Sequence, residues 1–121
     1  MNIEVNFDSL GGGKVSEDTF TMSYGTVTEY TVSCGFQPTK IFVYKITASG
    51  TGWADGSRVD LYDADMDAAH QFRTLRVGGD YAQTETIPPS SDGISALNSS
   101  GFRFEINSSA WDGTYRYVAV G

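Results

Sequence analysis

The chain has 121 residues, 40 % of them hydrophobic and 13 % aromatic, with a formal net charge of −7 and only eight Lys plus Arg. That length suits one domain able to bury roughly two-thirds of its unfolded surface, and the composition excludes wholesale disorder. The acidic balance excludes a nucleic-acid binder, which needs a basic stripe to release counterions from phosphate, and it disfavours an anionic membrane surface.

In chain order, Ile3, Val5 and Phe7 alternate with polar neighbours and are followed by Gly11-Gly12-Gly13. Residues 1–13 therefore read as a strand-like arm and a glycine hinge, a candidate anchor that adds as a strand to another chain, or else the first strand of the same sheet. Residues 14–121 read as the folded domain. Phe20, Met22 and Tyr24 share one face of a run, Tyr30, Val32 and Cys34 share one face of the next, and Gly25-Thr26 lies between. The two runs are expected to form a hairpin. Lys40 to Thr47 is almost continuously apolar, as suits a central strand buried on both faces.

Ala48 to Ser57 is a glycine-rich loop carrying Trp53, and Arg58 to Asp63 is a strand. Asp63 to His70 is expected to be a loop or one helical turn. Short strands are then expected at Gln71–Val77, Thr84–Ile87 and Ile94–Leu97. Phe102, Phe104 and Ile106 mark a one-sided strand, and Ser108 to Gly113 is a turn bearing Trp111. The last strand, Thr114 to Val120, sets Tyr115, Tyr117 and Ala119 on one face. No segment sustains a helical period. Eight to ten short strands predict an all-β fold, a two-sheet antiparallel β-sandwich of jelly-roll-like form.

The chemistry of catalysis is thinly represented. The single histidine, His70, sits among small residues, and neither a nucleophile elbow nor a phosphate loop is present. The single cysteine, Cys34, allows no intrachain disulfide and is expected to act as a small buried hydrophobe. Asp63, Asp65 and Asp67 have the alternate spacing that opens a calcium loop, but Ala68 replaces the turn glycine and Thr74 the bidentate glutamate. They are a candidate Ca²⁺ site or a solvated acidic turn. No other cofactor is expected. Trp53, and Trp111 beside Asp112, have the look of a sugar-stacking site, because the apolar face of a sugar packs on an aromatic ring. Equally, each Trp caps one end of the core.

Four segments carry a resemblance: Cys34-Gly35-Phe36-Gln37-Pro38-Thr39-Lys40-Ile41-Phe42-Val43-Tyr44, Leu61-Tyr62-Asp63-Ala64-Asp65, Ser100-Gly101-Phe102-Arg103-Phe104, and Tyr115-Arg116-Tyr117-Val118-Ala119-Val120-Gly121. In their order and spacing, over roughly residues 30 to 121, the chain resembles small virion-associated β-domains of bacteriophages. It departs from them at Thr39, where lysine usually follows the proline directly. The resemblance implies a non-enzymatic virion surface protein, a capsid decoration, head fibre or tail adhesin. It implies other capsid or tail proteins as partners, a homo-oligomer (a trimer by preference), and host-surface glycan as a further contact. Such a protein is made in the host cytoplasm, and Met1 to Asn6 lack the basic start and apolar stretch of a signal peptide. The alternative function is a lectin-like carbohydrate-binding module using the loop aromatics and the acidic loop.

Overall fold

A computed structural model of the protein describes residues 13–48, 58–76, 84–85 and 92–121. The arm residues Ile3, Val5 and Phe7, and the loop residue Trp53, lie outside the described residues. Within them the chain forms nine strands. These are β1 (Val15–Met22), β2 (Glu29–Ser33), β3 (Lys40–Ala48), β4 (Arg58–Asp63), β5 (Phe72–Arg76), β6 (Thr84–Glu85), β7 (Gly93–Asn98), β8 (Gly101–Glu105) and β9 (Gly113–Val120). Single turns of 3-10 helix occupy Ala68–His70 and Ser109–Trp111.

The strands make two antiparallel sheets, a six-stranded one in the order β1-β9-β3-β4-β5-β6 and a three-stranded one in the order β2-β8-β7. The early strands pair with the late ones, Val15 opposite Val120 and Val32 opposite Phe102. This is the rolled pairing of a jelly roll, and β3 to β6 extend the larger sheet as a meander. The core lies between the sheets. Phe20, Met22, Ile41, Val43, Tyr115 and Ala119 enter from one side, and Val32, Ile94, Phe102 and Phe104 from the other. Each large side chain fully buried in this way contributes about 1.5–3 kcal/mol. The rings interlock: Phe20 meets Phe104 edge-on at 5.5 Å, and Phe102 meets Tyr117 edge-on at 5.5 Å.

Two expectations are corrected. β1 and β2 do not pair as a hairpin; they lie in different sheets, and only Ser23 and Val27 bridge. Ser23 O accepts from Thr26 N and Val27 N at 2.9 and 2.7 Å, closing a tight turn with Gly25 at φ 91° that carries the chain across the sandwich. The second correction concerns β3. It is central, between β9 and β4, but only one of its faces is buried. Ile41 and Val43 point inward, whereas Phe42 remains 42 % exposed. The segment after β4 resolves into a turn and one 3-10 turn, Ala68–His70.

Candidate functional site

Two arrangements stand out, one between the sheets and one on the outside. The inner one begins with strand parity. Residues 58, 60 and 62 of β4 all face the core, and two of them are charged. Arg58 has no exposed surface, and Asp60 is almost fully buried. Arg58 Nε donates to Asp60 Oδ2 at 2.8 Å, and Nη2 reaches Asp60 Oδ1 at 3.3 Å. Nη1 lies 2.8 Å from Oδ1 of Asp92, next to β7 of the other sheet, an ion pair by distance whose angle falls short of a linear hydrogen bond. Thr74 Oγ1 on β5 donates to Asp60 Oδ1 at 2.6 Å. The guanidinium carbon sits 5.1 Å from the centre of the Trp111 ring and 5.4 Å from that of Phe104.

Burial works against charge on Arg58, but the carboxylates of Asp60 and Asp92 outweigh it and hold the guanidinium above its ordinary pKa. Tyr115, whose hydroxyl donates to Trp111 O at 2.7 Å, is also pushed up, chiefly by burial and against the pull of Arg58. Gly93 sits at φ +97°, and a Cβ there would fall 2.6 Å from Asp60 Oδ1. The cluster is therefore an inter-sheet clamp. Its polar groups are turned on one another, which leaves them poorly placed to meet a substrate.

The residues nominated from sequence are dispersed by the fold. Trp111 is buried at 5 % exposure with its ring over Arg58, so it caps the core and cannot stack on a sugar in this conformation. Of the two readings of Trp111, the fold takes the core cap. Asp112 Oδ1 accepts the Tyr24 N–H at 2.8 Å and ties down the crossover between β1 and β2. Asp63 and Asp65 turn toward Lys40, 3.5 and 2.8 Å from its Nζ, and Asp63 Oδ1 accepts the Asp65 N–H. Asp67 precedes the 3-10 turn without capping it through its side chain. Among the described residues no group of three or more acidic, His or Cys side chains could hold a metal ion. Cys34 is half-buried against the core, and burial raises its thiol pKa, which lowers its nucleophilicity near neutral pH.

The outer arrangement is the face of the six-stranded sheet that points away from the core. Phe42 and Tyr44 of β3 stand opposite Leu61 and Val59 of β4, and Val118 of β9 flanks Phe42. Val15, Val120 and Leu75 extend the same face. Phe42 and Tyr44 meet edge-on at 5.3 Å. A groove of about 290 Å³ runs along this face, lined by Phe42, Leu61, Met66, Val118 and Val120, with Lys40, Asp63, His70 and Arg73 at its rim. The outer face of the smaller sheet is different in kind. There Glu29, Thr31 and Ser33 of β2 stand opposite Glu105, Arg103 and Gly101 of β8. Among the described residues the two outer faces thus differ in kind, one largely apolar and the other polar. No protein-family model, curated protein or solved structure matches the chain.

Proposed function

We propose that this protein is a non-enzymatic structural component of a bacteriophage virion surface, a capsid decoration, head fibre or tail-fibre component that works by packing against other proteins. The observation that supports an assembly role is the largely apolar outer face of the six-stranded sheet, where Phe42 is 42 % exposed, set against the polar outer face of the smaller sheet among the described residues. The virion setting rests on the resemblance drawn from the sequence. Its segments fall on β3, β4, β8 and β9, which are central strands or core-forming ones. On this reading the buried Arg58 cluster holds the two sheets together and leaves the outer surface to do the binding.

The test is whether the chain travels with particles. Purified phage particles from the source of the sequence are separated on a density gradient and their proteins quantified by mass spectrometry. Repeated copies per particle are expected. Re-addition of chain lacking residues 1–13 is expected to give folded protein that no longer attaches. Absence of the chain from the particle fraction would remove the virion reading, and full attachment by the truncated chain would remove the anchoring role of the arm.

A further inference from the structure

We infer that the open edge of β2 takes up an extended, lysine- or arginine-bearing segment of a partner protein, which adds to the three-stranded sheet and sets a basic side chain against Asp18. The inference rests on the reading that the chain works by packing against other proteins, and it names the chemistry of one such partner.

The site lies where the two sheets part. β1 ends one sheet and β2 ends the other, and among the described residues β1 pairs with β9 alone and β2 with β8 alone. A cleft of about 220 Å³ opens between them, with Asp18 and Thr19 of β1 on one wall and Tyr30, Thr31 and Ser33 of β2 on the other.

The two edges differ. At either end of β2, Ile106 N donates to Thr28 O and Cys34 N to Ser100 O, so the even positions of this strand bond β8. The alternation of an antiparallel ladder then turns the backbone groups of Glu29, Thr31 and Ser33 to the open side. On β1, Gly121 N donates to Lys14 O, so by the same alternation Thr19 turns its backbone outward. There Asp18 Oδ1 takes the Thr19 N–H at 2.8 Å. A row of unpaired backbone groups is a template for strand addition, and a charged side chain folded over it blunts the edge. β2 is therefore the receptive edge and β1 the closed one.

Charge selects the occupant. Asp18 shares the inward parity of buried Phe20, and Tyr30 that of buried Val32. The Tyr30 ring lies flat against Phe20, 5.0 Å between centres and 5° between planes, and is still 41 % exposed. An inward side chain on a strand added beside β2 enters the cleft between that ring and the Asp18 carboxylate. A carboxylate that accepts one N–H keeps capacity for further donors. Neither Asp18 nor Glu29 has an ion-pair partner among the described residues. A fixed carboxylate beside an aromatic ring suits an ammonium or guanidinium group, and a chain of net charge −7 draws such a segment in.

The test is a titration of the full chain, followed by its amide NMR signals, with the peptide acetyl-Thr-Lys-Thr-Arg-Thr-Lys-Thr-amide up to about 2 mM, enough to read submillimolar binding. Saturable shifts centred on Glu29, Thr31 and Ser33 are expected. Asp18→Asn keeps an oxygen for the Thr19 N–H and is expected to weaken binding roughly fivefold or more. Asp67→Asn makes the same change of charge in the turn after β4 and is expected to leave the affinity as in the wild type. The same peptide N-methylated at every residue keeps its charge but cannot donate to a ladder, and it is expected not to bind.

Absence of shifts up to the highest concentration would overturn the inference, as would shifts centred away from β2. Undiminished binding by Asp18→Asn, or by the N-methylated peptide, would do the same. Spermidine binding as tightly as the peptide would make the cleft a site for small polyamines and equally overturn it. Failure here leaves the virion reading to the particle gradient, and absence of the chain from particles leaves the peptide result standing.

Discussion

Arg58 has no surface in contact with water, yet it carries a charge between Asp60 and Asp92. A buried ion pair adds little over well-packed apolar groups, but removing one partner strands the other charges in a medium that cannot solvate them. Arg58→Ala is therefore expected to cost about 3–5 kcal/mol in urea unfolding. The triple change Arg58→Met/Asp60→Leu/Asp92→Leu is expected to recover much of that loss. A single-variant cost below about 1 kcal/mol would contradict the clamp. Tyr115 gives a second handle. Its folded-state pKa lies above the ordinary 10.0, as do those of Tyr62 and Tyr117, with burial as the leading cause each time. Stability from these groups is complete below the unfolded value and is lost as pH rises through it toward the folded values. Unfolding free energy is thus expected to fall above about pH 10. Tyr115→Phe should flatten that slope, and absorbance at 295 nm should show the tyrosines ionising as the chain unfolds.

Most strands were legible from alternation alone, because inward and outward residues follow a period of two whatever the partner. Alternation does not say which strand pairs with which. Residues 19–24 and 29–34, joined by Gly25-Thr26, carry every local sign of a hairpin, but Ser23 to Val27 close on themselves and send β2 to the opposite sheet. The Arg58–Asp60 cluster was hidden for a related reason. Charged residues are ordinarily read as surface, and only their inward parity with Tyr62 marked them otherwise. Sequence left Trp111 between a sugar-stacking role and a core cap, because the Ser108 side chain that accepts the Ala110 N–H and shapes that loop leaves no periodic signal. Gly93 shows how tightly the elements fit. Gly93→Ala would meet Asp60 at an unfavourable φ and is expected to lower stability by at least about 2 kcal/mol, with the loss visible in thermal melts. An unchanged melting temperature would mean that β7 shifts at no cost.

The molecule as a whole presents unlike outer surfaces, an apolar one on the large sheet and a polar one on the small sheet. The apolar face was foreshadowed by the continuous run in β3, which reads as burial on both sides, whereas Phe42 is 42 % exposed. The order of strands has a further bearing on how the protein is made. β9 lies between β1 and β3, and β8 between β2 and β7, so neither sheet has its spine until the final third of the chain has been synthesised. During synthesis β3 can pair with β4 as soon as both have emerged, whereas β1 and β2 find their partners only when β9 and β8 follow. Closure of both sheets then depends on pairing between the two ends of the described domain, a topology whose many long-range contacts slow folding.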